Sequence, residues 1–263
     1  MRDGGRYVVA GIDGPPAEAS VRHAAEVIAR LLGVSVRGVH VEPGPGLRGE
    51  ARRSALARVT RGETDRLVGR PETVLTALAE TPGAVMTVLG VRQEPRLPGA
   101  RRGGGTAVAV ARRATFPLLL VPPEAADWSG PSRVLSALDG TGRTALAAAS
   151  ALHGLTSPGT LAFPLHVADS PDPATAWTGH SRDMDSWAAE TGSNGSARGH
   201  ERLQTRPLGR HVLQRAEETQ SNLVVLVWSR QTRGPYGAAV LDVLSATRVP
   251  VLLVPALTPS AAA

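Results

Sequence analysis

The residues best suited to hold a ligand are Gly103-Gly104-Gly105-Thr106, preceded by Arg101 and Arg102. Three glycines let the backbone approach a bound group closely. The Thr106 hydroxyl adds a donor, and the two guanidinium groups add positive charge. Where such a loop opens into a helix, its unpaired N–H groups and the helix dipole favour an anion, phosphate above all. A flexible turn has the same composition, so phosphate cradle and plain turn both stand as readings. Asp13 and Asp139 each follow an apolar run. An aspartate there either contacts a ligand or its metal, or caps the next helix and shapes a turn.

Other chemistries lack their residues. The chain has no cysteine, which removes disulfides, thiolate metal sites and thiol redox chemistry. All 29 basic residues are arginine, so neither a Schiff-base lysine nor a Walker-type lysine exists. The seven histidines show no H-x3-H or H-E-x2-H spacing. His40 and His166 end apolar runs and read as packed or hydrogen-bonded strand residues. Ser54, Ser136 and Ser157 lack the G-x-S-x-G setting of an activated nucleophile, and no carboxylates pair as acid and base. The expectation is a protein that is not an enzyme.

Positioning such a loop requires elements built from small apolar residues. Hydrophobic residues make up 42% of the 263 and aromatics only 3%, so the cores must be Val, Leu and Ala. The longest apolar runs, Leu223–Trp228 and Phe116–Val121, are far too short to cross a bilayer. The N-terminus passes into a strand-like run without the apolar stretch of a secretory signal, so a cytoplasmic location is expected. Residues 1–126 carry 18 Arg against 12 acidic residues, whereas residues 127–263 carry 11 of each. The basic half admits an anionic partner or a purely solubilising surface. Its stripe of Arg48, Arg52, Arg53, Arg58 and Arg61 has no interleaved aromatics, which argues against nucleic-acid recognition.

An internal repeat organises the chain. Tyr7–Gly14 matches Arg133–Gly140 at an offset of 126, and His40-Val41 matches His166-Val167 at the same offset. Pro117-Leu118-Leu119-Leu120-Val121-Pro122 matches Pro250–Pro255 in five of six positions, at an offset of 133. In the first copy, strands are expected at 7–12, 34–41, 64–68, 84–89 and 118–121. Helices fall at about 21–32, 72–80 and 106–114. The second copy reads as strands 133–138, 160–167, 201–206, 223–227 and 251–254, with helices 143–153, 208–220 and 238–247. Strands apolar on both faces that alternate with helices imply parallel sheets covered on both sides. The expected domains are 1–125 and 130–263, with excursions at 43–62 and 168–199, a short helix near 184–190 and an unstructured tail at 258–263.

Through Ile12-Asp13-Gly14 with Leu138-Asp139-Gly140, His40-Val41 with His166-Val167, and the Pro-led fifth strands, the chain resembles a tandem universal stress protein. The resemblance covers nearly all of it apart from the excursions. It implies an α/β fold of two doubly wound, Rossmann-like five-stranded parallel sheets, each ordered 3-2-1-4-5, arranged as a pseudo-dimer. The fifth strands would pair between copies or across a homodimer. It further implies a stress-response regulator that binds ATP through G-x2-G-x9-G-S/T after strand four. Carried onto this chain, the contacts are Asp13, Val41, Gly90, Gly103, Gly105 and Thr106, with the ligand beyond the strand ends between Asp13 and Gly90.

The first copy departs from that pattern. Gln93 stands at the second glycine, and Gly90 to Gly105 spans 15 positions where the pattern spans 13. The second copy departs further, with Trp228 at the first glycine, Gln231 at the second and Ala238-Ala239 at the terminal pair. An adenine nucleotide is therefore expected in the first copy only. The alternatives are a non-binding protein–protein interaction module and a slow ATP-hydrolysing enzyme, the latter without identifiable residues to orient metal and water.

Overall fold

The expected alternation of strands and helices is present throughout the computed structural model, which describes residues 5–14, 17–43, 64–91, 105–138, 142–167, 202–203, 208–228 and 235–256. The chain forms two compact units, Met1–Gly130 and Pro131–Ala263. Gln93, Arg101, Arg102, Gly103, Gly104 and Asp139 lie outside the described residues, as do most of both excursions, the short helix near 184–190 and the tail.

The first unit runs β1 (Tyr7–Gly11), α1 (Glu18–Leu32), β2 (Ser35–Pro43), β3 (Thr64–Gly69), α2 (Pro71–Ala79), β4 (Ala84–Gly90), α3 (Thr106–Ala111) and β5 (Leu118–Val121), then a 3-10 turn at Pro123–Ala125. Its strands are all parallel in the order β3-β2-β1-β4-β5. The second unit runs β6 (Arg133–Leu138), α4 (Gly142–Leu152), β7 (Leu161–Val167), β8 (Arg202–Leu203), α5 (Leu208–Glu218), β9 (Leu223–Trp228), α6 (Pro235–Ala246) and β10 (Val251–Pro255). Its order, β8-β7-β6-β9-β10, is also parallel and repeats the first unit's. Each unit is the doubly wound sheet that the alternation called for.

Local chemistry explains where the elements stop. In α1, Val21, Ala24, Ala25 and Ile28 form one buried stripe. Gly33 ends the helix at φ 64°, with Val34 N–H donating to the Ala29 carbonyl (2.9 Å). The same cap closes α5 without a glycine: Gln220 takes φ 51° and Ser221 N–H reaches the Ala216 carbonyl (2.8 Å). Helix α3 stops at Ala111, short of the expected residue 114, because the chain must be extended by Phe116 to enter Pro117. Helix α6 starts three residues earlier than expected, at Pro235, a residue pre-set for the first helical turn. Every side chain of β5 is buried, and Leu118, Leu119 and Leu120 are no more than 1% exposed. Each such aliphatic contributes about 1.5–3 kcal/mol relative to its exposed state.

The repeat has a mark that the sequence alignment did not show. In the first unit, Arg37 of β2 lies over the Tyr7 ring of β1, 5.8 Å from its centre. At the equivalent positions of the second unit, 126 residues on, Arg133 of β6 lies over the Phe163 ring of β7 at 5.0 Å. The aromatic and the cation have exchanged strands while keeping the same diagonal register. In both units the β1 or β6 member is also tied to the turn after the helix: Tyr7 Oη shares a hydrogen bond with Thr81 Oγ1, and Arg133 Nε donates to the Thr219 carbonyl (2.7 Å).

Candidate functional site

The strand order turns back on itself at β1 and β4, so helices leave their carboxyl ends on opposite faces and a crevice opens between them. The two faces are visible at neighbouring glycines. A side chain on Gly11 would run into Leu89 and meet Leu75 of α2, whereas one on Gly90 would lie 2.8 Å from the Ala17 Cβ before α1. The crevice is a cleft of about 600 Å³, the open solvent at its mouth included. Its floor is Gly11 and Ile12 of the first strand's end, with Leu89 and Gly90 of β4. Val39 and Val41 of β2 form one side wall, continued by Pro71 and Leu75 of α2. Ala17, Glu18 and Val21 close the other face, and Thr106 and Ala107 of α3 stand at the far end.

Asp13 follows β1 after one residue, Ile12, whose N–H and carbonyl are both bonded to β2. Ile12 N–H donates to the Val39 carbonyl (2.8 Å), and His40 Nδ1–H donates to the Ile12 carbonyl (2.8 Å). His40 is thus the hydrogen-bonded strand residue its position suggested, and its bond holds the strand end that carries Asp13. Gly14 then turns the chain at φ 75°, a conformation that suits glycine. Gly90 has a packing role of its own, because any larger residue would push the start of α1 away. Gly105 is different. It caps α3 with φ −73° and ψ 157°, values open to any residue, and a Cβ there would meet nothing within 4 Å.

Three helices, α1, α2 and α3, begin at this cleft, and none carries a side-chain cap on its N-terminus. The first N–H groups of α1 and α3 are thus left without side-chain acceptors and present partial positive charge at the helix starts, whereas α2 opens on Pro71, which has no N–H, and its Thr73 N–H already donates to the Arg70 carbonyl (2.9 Å). The described lining itself contains two acidic residues, Asp13 and Glu18, and no basic one. Glu18 is held by Arg22, one turn along α1, which also reaches Thr64 of β3. The cleft therefore combines an apolar wall, an acidic edge and uncapped helix starts.

Of the site residues expected from sequence, Asp13, Val41, Gly90 and Thr106 line this cleft together. Gly105 sits next to Thr106 without lining it, and Gly103 lies outside the described residues. Sequence reasoning missed Val39, although strand periodicity puts it on the same face as Val41. It missed Glu18, whose signal was an acidic residue at a helix start. Leu75 had no local signal at all.

The second unit differs at the corresponding positions. The sheet register places Val227 at the level of Gly90, because Leu89 pairs with Gly11 and Leu226 pairs with Ala137, the Gly11 equivalent. This corrects the alignment of Trp228 with the glycine: an apolar strand has no internal mark to distinguish a one-residue slip. Trp228 falls one position later, on the opposite face, and is buried (2% exposed). Ala238 and Ala239 do not precede a helix but lie inside α6, whose first residue is Pro235. Among the described residues no three His, Cys, Asp or Glu side chains cluster to hold a metal, and no helix is long and apolar enough to cross a membrane.

No sequence profile of a known family matches the chain, and no curated protein is a detectable sequence relative. Solved structures do match. The chain superposes on a universal stress protein from Archaeoglobus fulgidus DSM 4304 with a TM-score of 0.64 at 15% identity, over 95% of this chain and 96% of that one. A structure from Pseudomonas aeruginosa UCBPP-PA14, assigned provisionally to the same family, gives 0.64 at 15% identity, over 95% and 93%. A functionally unknown protein, PA1789 from Pseudomonas aeruginosa PAO1, gives 0.63 at 14% identity, over 96% and 93%. At these identities the likeness establishes the fold, which is that of tandem universal stress proteins.

Proposed function

We propose that this chain is a non-catalytic, cytoplasmic regulator of the universal stress protein type, and that its first unit alone binds an adenine nucleotide. The observation that carries the proposal is the cleft, where Asp13, Val41, Gly90 and Thr106 converge from four separate elements. The residues present fit the ligand. Val39, Val41 and Leu75 give a flat apolar wall for a base. Asp13 can accept from sugar hydroxyls. The open approach at Gly105, the Thr106 hydroxyl and the uncapped start of α3 leave room and donors for phosphate oxygens. Strand order supports this reading, since the apolar wall comes from β2, Asp13 from the chain after β1, and Thr106 from beyond β4. In the second unit Val227 and the interior of α6 stand where the glycines should be, so no second nucleotide is expected.

Gly105→Val tests this cleanly, because the protein has space for the added side chain and its backbone conformation suits valine. Calorimetric titration with ATP and magnesium should give about one site per chain for the wild type, and Gly105→Val should abolish binding while lowering the melting temperature only slightly, as a poorer N-cap of a short helix would. Mass spectrometry of small molecules released from denatured protein should find adenine nucleotide. An empty protein that also gives no heat on titration would favour the interaction-module reading.

A further inference from the structure

We propose that Glu18 selects the sugar of the bound nucleotide, favouring a ribose with a free 2′-hydroxyl over a 2′-deoxyribose; this rests on the nucleotide reading of the cleft. Glu18 is the first residue of α1 and lines the cleft beside Asp13 and Gly14. Its carboxylate is held from one side only. Arg22 places both Nε and Nη2 at 3.0 Å from Oε1, and Nη2 also donates to Thr64 Oγ1 at 2.9 Å. Oε2 has no protein partner among the described residues. The arginine is engaged across α1 and β3 and so fixes the carboxylate in place.

A structural role accounts for little of this arrangement. An i,i+4 pair on a helix contributes about 0.2–0.5 kcal/mol, and the Glu18 side chain is 34% exposed. Glu18 lines the cleft, and its Oε2 is an acceptor with no proton to give. Phosphate oxygens are acceptors too and carry the same sign of charge, so this edge repels the phosphate end of a nucleotide. Its complement is a hydroxyl or amine donor. The base is directed to the apolar wall of Val39 and Val41 on β2, and the phosphates to the Thr106 end beyond β4. The sugar lies between them, against Asp13 and Glu18, and its hydroxyls are the donors within reach. Two carboxylates are the number that a vicinal diol can satisfy, one hydroxyl to each. A site built to receive a hydroxyl discriminates strongly against the analogue that lacks it, because the acceptor is then desolvated without a partner.

The test compares ATP with 2′-deoxy-ATP, both with magnesium, by titration calorimetry on the full chain. The wild type should prefer ATP by about tenfold or more, since a hydrogen bond to a charged group is worth at least that factor. Glu18→Gln keeps the length of the side chain but weakens the acceptor. It should bring the two affinities to within about threefold, chiefly by weakening ATP, while leaving the melting temperature within about 1 °C of the wild type. Binding of both ligands without preference by the wild type would overturn this assignment and leave the nucleotide site standing. A preference undiminished in Glu18→Gln, or an equal loss for both ligands, would also overturn it. Failure of the wild type to bind either ligand would overturn the nucleotide reading itself.

Discussion

Thr87 of β4 and Ser136 of β6 are fully buried hydroxyls, and neither Oγ atom has a hydrogen-bond partner among the described residues. Each therefore carries a desolvation penalty with nothing to offset it. Thr87→Val and Ser136→Ala remove the polar atom with little change of volume, and each should stabilise its unit by about 1 kcal/mol. Urea midpoints should rise for both variants; unchanged or lower midpoints would mean that these hydroxyls do find partners in solution. The glycines at this scale separate by cause. Gly14 answers a backbone demand at φ 75°, and Gly90 answers a packing demand from Ala17. Gly105 answers neither: it stands at the N-cap of α3, where glycine is favoured over larger apolar residues, with open space around its Cα.

At the scale of elements, the exchanged pairs Tyr7/Arg37 and Arg133/Phe163 show what joins the first two strands of each unit near their amino ends. Arg37 is additionally bonded to Asp65 of β3 at 2.8 Å. Partial burial disfavours its charge, but the hydrogen bond and charge of Asp65, with help from Tyr7, outweigh that and raise the guanidinium pKa. If the diagonal contact is what matters, its direction should be reversible. Arg133→Tyr and Phe163→Arg should each destabilise the second unit, the latter by setting two cations side by side. The double variant should recover about 0.5–1 kcal/mol relative to the sum of the singles, the usual worth of a cation over a ring. Strict additivity would sink the idea. Helix contacts are just as specific: Gly209 of α5 lets α6 approach so closely that a Cβ there would stand 2.5 Å from the Asp242 Cβ and 2.7 Å from the Ala239 carbonyl.

At the scale of the whole molecule, two units share one fold but differ in the residues at their strand ends. The excess of positive charge falls in residues 1–126, the half that carries the described cleft. A ligand that binds only the folded first unit stabilises that unit alone, by about 2.7 kcal/mol at a hundred times its dissociation constant. In scanning calorimetry, ATP with magnesium should therefore raise the transition of the first unit directly, and Gly105→Val should remove that rise. A comparable rise in Gly105→Val would place the nucleotide elsewhere.

The sequence by itself determined the order and type of the elements, the parallel sheets, the duplication, and the exclusion of thiol, lysine and triad chemistry. Those are readable because hydrophobic period, turn residues and composition are local properties of the chain. Tertiary structure decided the rest. It set the register that puts Val227 rather than Trp228 opposite the first unit's Gly90, since an apolar run reads the same after a slip of one residue. It also assigned Gly90 to helix packing, a demand that comes from Ala17, some seventy residues away in the chain. Asp13 and Thr106 could be nominated from their strand or helix ends, and Val41 through the family resemblance. Glu18 offered only its place at a helix start and Leu75 no signal, because only the folding of α1 and α2 onto opposite faces of β1 brings a helix-start carboxylate and a mid-helix leucine to the same cleft.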